Sequence, residues 1–250
     1  MLIDTHCHLN IYLSKRFGKN INNALNQIQK NKILTLTMSM DMASYKQNMD
    51  IAEKSKFIIP AFGIHPWNAH KYVGKIDLLE RLIKENSLIG EIGLDYFFVK
   101  DKSRYSAQKK IFEFFLKRTK NKVISVHSKG AEKDVLKLLK KHQNRRVVIH
   151  WYSGGTETLK EMINEKYYFS IGPEIMFSDH IKKIVRLIPL KQILTETDNP
   201  DGPKSIMGKK GMPILIKDVI SAIAKIKGKS SKQMEKTVED NFKRLTKNSK

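Results

Sequence analysis

The stretch KVISVHSKGAEKDVLKLLKKHQNRRVVIHWY, residues 122–152, decides the fold. Two short runs rich in apolar and β-branched residues, 122–128 and 146–152, flank a segment with the apolar periodicity of a helix. Neither run alternates cleanly between apolar and polar residues, as expected of parallel strands that are covered on both faces. The stretch therefore predicts a strand–helix–strand unit in which each strand carries a histidine near its end.

The same unit recurs along the whole chain. The strand candidates are MLIDTHCHL (1–9), ILTLTMS (33–39), FIIPAFGIH (57–65), LIGEIGLD (88–95), KVISVHS (122–128), RVVIHWY (146–152), YYFSIG (167–172) and QILTETD (192–198). Helical patterns lie between them, and two further helices, 213–227 and 231–245, follow the last strand. Eight such strands predict an α/β fold of the (β/α)8 TIM-barrel type with an extra C-terminal helix. A doubly wound open sheet is the alternative.

The bulk composition is that of a soluble globular protein. The chain has 250 residues, 40% of them hydrophobic and 29% charged, which suits one domain over residues 1–250. We expect no membrane partner, because no apolar run approaches the roughly 18 residues of a membrane span. Without a signal-peptide pattern, we expect a cytoplasmic protein. Cys7 is the only cysteine, so an internal disulfide is excluded. A monomer is expected because no long exposed apolar stripe stands out.

The net charge of +22 and the pI near 9.9 have two interpretations. Lysine and arginine attract phosphates, so a nucleic acid is a natural partner. The chain is also rich in lysine, isoleucine and asparagine together, which is typical of a genome-wide composition bias. Charge alone leaves both interpretations open.

Polar residues with metal-binding chemistry gather at the predicted strand ends. They are His6, His8, His65, Glu91, Asp95, His127, His150, Glu196 and Asp198. In a barrel these ends share one face, where active sites lie. Imidazole and carboxylate ligands suit Zn²⁺, Mn²⁺ and similar ions, and an open catalytic centre fits better than a closed structural zinc site built on thiolates. Because side chains alternate along a strand, Asp4, His6 and His8 are predicted to share a face that Cys7 does not.

Several motifs together resemble one known family. IDTHCHLN, AFGIHPW, IGEIGLDYF, ISVHSKGAEKDVLKLL, VVIHWYSGG, FSIGP and ILTETDNP occur in the order and spacing of the TatD family of metal-dependent hydrolases. The resemblance covers nearly the whole chain, and NFKRL is similar to the closing helix of the family. It implies a TIM-barrel metallohydrolase of the amidohydrolase group, often acting as a DNase or 3′–5′ exonuclease with a metal-activated water.

The resemblance also implies a set of metal ligands. One divalent ion would lie with His6, His8 and Asp198, a second with His127 and His150, and Glu91 would bridge them. We expect Asp198 and Glu91 to be the catalytic residues, with Asp198 orienting or deprotonating the water. Glu196 is expected to hold a histidine ligand in the correct tautomer, and Asp95 could do the same or cap the next turn. The two ions could be Zn²⁺, Mn²⁺ or Mg²⁺.

The predicted substrate contacts are His65, Lys129, Trp151 and Tyr152, and Trp67 is a further candidate. His65 could bind substrate or could instead donate a hydrogen bond behind the metal ligands. Lys129 stands where many relatives carry arginine, so it keeps the charge but loses a bidentate fork for phosphate. Trp151 and Tyr152 stand where cysteine and phenylalanine are common. Trp151 could stack on a base or serve as a core or lid residue. ETDNPDGP also differs from commoner versions after the aspartate.

These departures surround the substrate rather than the metal, so three functions remain open. The first is a nuclease, with DNA or RNA and exo- or endonuclease action unresolved. The second is an amidohydrolase acting on a small ester, lactone or amide. The third is a catalytically silent nucleic-acid-binding barrel, against which the complete ligand set argues.

Overall fold

Parallel strands alternate with helices throughout residues 1–247, the part of the chain that the computed structural model describes. The strands are β1 (Ile3–Cys7), β2 (Leu34–Met38), β3 (Ile58–Ala61), β4 (Leu88–Gly93), β5 (Val123–His127), β6 (Val147–His150), β7 (Tyr168–Ile171) and β8 (Ile193–Thr195). The helices are α1 (Asn22–Asn31), α2 (Met42–Ala52), α3 (Ile76–Glu85), α4 (Tyr105–Arg118), α5 (Glu132–His142), α6 (Thr156–Asn164), α7 (Asp179–Leu187), α8 (Asp201–Met207), α9 (Ile216–Ile226) and α10 (Ser231–Thr246).

The strands close into a barrel, which confirms the predicted fold class and excludes the open sheet. Strands β1 to β3 pair in order, as do β4 to β8, and a parallel bridge between Phe62 and Ile89 joins the two groups. The other seam is closed by backbone hydrogen bonds: Asp198 N donates to His6 O at 2.9 Å, and His8 N donates to Asn199 O at 2.7 Å. Three of the four residues of this second seam, His6, His8 and Asp198, are predicted metal ligands.

Nearly all strand residues are buried, as expected of strands that are covered on both faces. Cys7 lies on the helix side of β1, in an apolar cluster with Tyr12, Ile28 and Ile51, and this confirms its predicted direction. The pairing of β1 with β2 is irregular between Asp4 and Cys7.

Asp4 does not join the histidines, although simple alternation along β1 predicts a shared face. Its carboxylate accepts hydrogen bonds from the backbone N (3.0 Å) and the hydroxyl (2.6 Å) of Thr197. Asp4 therefore ties β1 to the segment that follows β8.

Three α-helices follow β8 within residues 1–247, one more than the sequence predicts. The extra one, α8, contains Gly202 and Pro203, which are typical of a turn rather than a helix. Helix α10 packs against α9 and β8 and reaches β1. Ser230 caps α10 in a reciprocal pair with Gln233. Within residues 1–247, no helix is long and apolar enough to span a membrane.

Candidate metal centre

The barrel brings the predicted strand-end residues to one place. His6, Glu91, His127 and His150 lie in strands, and His8, His65, Asp95, Glu196 and Asp198 lie in the segments that directly follow strands. All nine residues lie at the carboxyl end of the barrel. Apart from the partly exposed Asp198, they are buried.

Glu91 lies between two groups of histidines. Its Oε2 is 3.4 Å from Nε2 of His6 and 3.4 Å from Nε2 of His8. Its Oε1 is 2.7 Å from Nδ1 of His127 and 3.8 Å from Nε2 of His150. The two oxygens of one carboxylate thus face different pairs of imidazole nitrogens, which is the arrangement that a bridging ligand requires.

Asp198 joins the first pair of histidines. Its Oδ1 lies 3.4 Å from Nε2 of His8 and 3.8 Å from Nε2 of His6, and those two nitrogens are 3.3 Å apart. Ligand atoms of these three residues lie within 4.8 Å of one another, close enough to share a metal ion. His65, Glu91 and His127 form a second such set, and His6, His150 and Glu196 form a third.

Hydrogen bonds behind the histidines orient their rings. His8 Nδ1 donates to Met38 O at 3.3 Å, which leaves the lone pair of Nε2 facing Asp198 and Glu91. His150 Nδ1 donates to Glu196 at 2.9 Å and leaves its Nε2 facing Glu91 in the same way. Bonds of this kind fix the tautomer of a metal-binding histidine and raise its basicity as a ligand.

His127 uses its two nitrogens in the opposite order. Its Nε2 lies 3.0 Å from Asp95 Oδ2, and its Nδ1 faces Glu91. Burial alone would lower the pKa of His127, but the hydrogen bonds to Asp95 and Glu91 raise it to about 9. Two carboxylates that hold a proton so firmly also favour a metal ion in its place.

His65 differs from the other histidines of the centre. Its Nδ1 accepts a hydrogen bond from the backbone N of Trp67 at 3.2 Å, so in the neutral ring the proton lies on Nε2. That Nε2 is 3.5 Å from Glu91 Oε1. His65 therefore presents a proton to the carboxylate rather than a lone pair to a metal, and it is not among the residues that line the cleft described below.

The electrostatics of the centre fit bound cations. Burial lowers the pKa of His150 to about 3 and raises the pKa of Asp198 well above its ordinary value. Burial also lowers the pKa of His8, but Glu91 and Asp198 outweigh burial and raise it to about 9. Buried imidazoles and carboxylates at this density are costly unless they are paired or coordinate a metal. The nitrogen and oxygen donor set suits divalent ions such as Zn²⁺ and Mn²⁺.

Glycines let the strands approach closely enough to build this arrangement. Gly93, at the end of β4, has φ +147°, and a Cβ there would lie 2.0 Å from His127 O. A Cβ on Gly63 would lie 2.4 Å from the backbone of Gly90. The segments that carry His65, Glu91 and His127 can therefore meet only because these positions have no side chain.

A cleft of about 290 Å³ opens above the centre. Its lining includes His127, His150 and Asp198 together with Lys129 and Trp151. Lys129 Nζ donates to Ser153 Oγ at 2.7 Å, which holds the cation at the cleft wall.

The Trp151 indole forms another wall of the cleft. Its Nε1 donates to Glu174 Oε2 at 2.5 Å. Cβ atoms on Gly172 and Gly202 would lie 3.0 Å and 2.8 Å from the ring, so the indole is held closely between these two glycines. This placement fits both the stacking and the lid interpretation of Trp151.

Tyr152 requires a correction, because it does not line the cleft. It is buried, its ring packs against Phe169, and its hydroxyl donates to Gly155 O at 2.7 Å. The backbone turns at Trp151, where φ is +41°, and Tyr152 consequently enters the hydrophobic core.

Phe97, Phe98 and Glu174 are among the cleft-lining residues that sequence reasoning missed. Phe97 and Phe98 follow β4, and Glu174 follows β7. Adjacent aromatic residues directly after a strand end, in DYFF, are a signal that could have identified the two phenylalanines. Glu174 carries no comparable signal.

Comparisons with known proteins point to one family. The family model described as TatD related DNase matches residues 3–247. An uncharacterized metal-dependent hydrolase of Methanocaldococcus jannaschii is 32% identical over 231 residues, covering 90% of this chain and 88% of the relative. The Homo sapiens protein named deoxyribonuclease TATDN3 is 26% identical over 262 residues, covering 98% and 94%. The structure of YJJV, a TatD homologue from Escherichia coli K12, superposes with a TM-score of 0.86 at 21% identity, covering 98% and 97%.

Proposed function

The chain belongs to the TatD-related DNase family and is a metal-dependent hydrolase, and from this premise we propose that it hydrolyses phosphodiester bonds of DNA. The observation that carries the proposal is the position of Glu91 between two pairs of histidines, beside a cleft that His127 and His150 line and whose wall holds Lys129. The human relative is named a deoxyribonuclease, and the net charge of +22 favours a polyanionic substrate.

The centre would hold two divalent ions. His6, His8 and Asp198 would bind one, and His127 and His150 the other, with Glu91 between them. When bound, such ions lower the pKa of water and offset negative charge on a phosphodiester. Glu196 and Asp95 would keep the rings of His150 and His127 in the orientation that their hydrogen bonds define.

Asp198 would have a second role. Its Oδ1 faces His6 and His8, while a Cβ on Gly202 would lie 2.5 Å from Oδ2, so the two oxygens look in different directions. Oδ2 is therefore the atom that would orient a water molecule and accept its proton. Asp198 lines the cleft, where such a water could reach a phosphate.

Lys129 and Trp151 would contact the substrate. A lysine ammonium at the cleft wall can bind a phosphate oxygen as a point charge. The Trp151 indole offers an apolar surface beside it. His65 would keep its proton and turn its Nε2–H toward Glu91 Oε1, 3.5 Å away, which favours the ionised carboxylate and helps to hold it in place.

Cleavage of a labelled oligonucleotide tests the proposal. A single-stranded DNA oligonucleotide labelled at one end would be incubated with the protein and added Mg²⁺, Mn²⁺ or Zn²⁺. We expect a metal-dependent ladder, whose direction would separate exonuclease from endonuclease action. The Asp198→Asn variant should give none, and Cys7→Ser, altered behind the metal face, should cleave like the wild type.

The contrary result is equally specific. Protein that holds metal by elemental analysis but cleaves no oligonucleotide with any of the three ions would contradict the nuclease proposal. Activity toward a small ester, lactone or amide would then become the better account of the same centre.

A further inference from the structure

Two phenylalanines stand exposed at the rim of the cleft. Phe97 and Phe98 are 51% and 57% exposed, although both line the cleft above His127 and His150. Their rings meet edge to face at 4.9 Å, and the Trp67 indole, 42% exposed, adds a third ring 5.9 Å from Phe98. We call these three side chains the aromatic rim.

One carboxylate holds the aromatic rim in place. Asp95 Oδ1 accepts hydrogen bonds from the backbone N of Phe97 (2.9 Å) and of Phe98 (2.7 Å), and Oδ2 accepts one from Trp67 Nε1 (2.7 Å). The same Oδ2 contacts His127 Nε2. The rim is thus pre-organised and fixed at a defined distance from the metal centre, rather than presented on an unsupported loop.

Cations accompany the rings. Lys100 Nζ lies 4.9 Å from the centroid of the Phe97 ring, and Lys129 Nζ lies 5.9 Å from it. A nucleic acid strand with unpaired bases is complementary to these rings and lysines, because each of its nucleotides has an aromatic base face beside a phosphate. In a duplex the faces of the bases are occupied by their neighbours, so the exposed rings have no equivalent partner there.

We propose that Phe97 and Phe98 form a stacking platform for an unpaired base of the strand that enters the cleft, with Lys100 and Lys129 binding the adjacent phosphates. This inference rests on the proposed nuclease function and deepens it. It assigns part of substrate recognition to rings that the metal centre itself does not use.

The stacking platform is tested by removing the bases of the substrate and the phenylalanine rings of the protein, separately and together, and by comparing the four cleavage rates. The holoenzyme would be given two end-labelled single-stranded oligonucleotides, one normal and one with tetrahydrofuran abasic residues at the positions nearest the cleaved bond. We expect removal of the bases to lower kcat/KM of the wild type by roughly 5- to 100-fold. In the Phe97→Leu/Phe98→Leu variant, the two oligonucleotides should be cleaved at similar rates, because the aromatic faces are already gone.

Control variants separate the loss of base stacking from a general disturbance of the segment that follows β4 and carries both phenylalanines. The single variant Phe98→Trp should keep the discrimination between the two oligonucleotides, since tryptophan retains an aromatic face at this position. Phe177, 60% exposed but absent from the cleft lining, supplies a matched substitution, and Phe177→Leu should behave like the wild type. Unchanged metal content of the double variant would show that Asp95 and His127 are undisturbed.

The outcomes distinguish the two proposals. Equal cleavage of both oligonucleotides by the wild type would overturn the platform and leave the nuclease function standing. Equal discrimination by the wild type and the double variant would also overturn it. Absence of cleavage of either oligonucleotide by metal-loaded wild type would contradict the nuclease proposal, and the platform with it.

Discussion

At the scale of single residues, Glu196 supports the centre from behind the ring of His150. Glu196 accepts hydrogen bonds from His150 Nδ1, the backbone N of Trp151 and the hydroxyl of Ser170, so its carboxylate is fully engaged. Burial raises its pKa well above the ordinary value, while the hydrogen bonds from Ser170 and the Trp151 backbone act in the opposite direction and favour the ionised carboxylate. A buried carboxylate in this position is best explained by the orientation it gives to His150.

Glu196→Gln should therefore weaken the binding of one metal ion and spare the other. The amide keeps the shape of the side chain but removes the charge that fixes the tautomer of His150. Changes of this kind cost about 10- to 100-fold in metal affinity. Elemental analysis after dialysis against increasing chelator would measure the loss. Retention of both ions at the wild-type chelator concentration would contradict the assigned role.

Cys7→Ser tests the face on which β1 places its side chains. Cys7 is buried among apolar residues, with Sγ 3.5 Å from Leu36 O. The serine hydroxyl should destabilise the fold by about 1–2 kcal/mol, because a polar group replaces a thiol in an apolar cluster. Metal content should stay unchanged. Thermal unfolding and elemental analysis would measure the two quantities, and loss of metal would mean that Cys7 belongs to the centre.

At the scale of elements, the close approach of β4 to β5 positions the bridging carboxylate. Glu91 on β4 can reach His127 on β5 because the backbone of Gly93 passes directly beside His127. Gly93 lies opposite His127 in the pairing of β4 with β5, and the register shifts between Ile89 and Ile92, the part of β4 that carries Glu91.

Gly93→Ala should disrupt this pairing. The added Cβ would lie 2.0 Å from a carbonyl oxygen, and φ +147° is unfavourable for any side chain. We expect a loss of about 3 kcal/mol or more in the free energy of unfolding, together with loss of metal. Gly74→Ala is the matched control, because no atom lies within 4 Å of its added Cβ. Denaturant unfolding would compare the two, and equal stability would refute the packing argument.

The elements also show where sequence reasoning succeeds and where it stops. Strand ends bearing histidine or carboxylate could be predicted because a barrel gathers those ends on one face, whatever their separation in the chain. Trp151 and Tyr152 could not be separated in the same way, because they lie beyond the end of β6, where regular alternation ceases. The left-handed backbone at Trp151 decides that one ring lines the cleft and the other enters the core.

At the scale of the whole molecule, the net charge of +22 makes the salt dependence of activity a way to distinguish a nucleic acid substrate from a small neutral one. A strand that contacts several lysines releases counterions on binding. The logarithm of the binding constant therefore falls with the logarithm of the salt concentration, with a slope of about −0.7 per contacted phosphate for single strands. We expect kcat/KM for single-stranded DNA to fall roughly tenfold between about 50 and about 200 mM salt, as for a few phosphate contacts. A kcat/KM that does not change with salt would favour a small neutral substrate. It would also favour composition bias as the origin of the positive charge.

The central claim is that Glu91 bridges two divalent ions, and anomalous diffraction from crystals grown with Mn²⁺ tests it most directly. We predict two anomalous peaks, one beside His6, His8 and Asp198 and one beside His127 and His150, with a Glu91 oxygen bound to each. A single peak, or two peaks of which only one contacts Glu91, would contradict the claim.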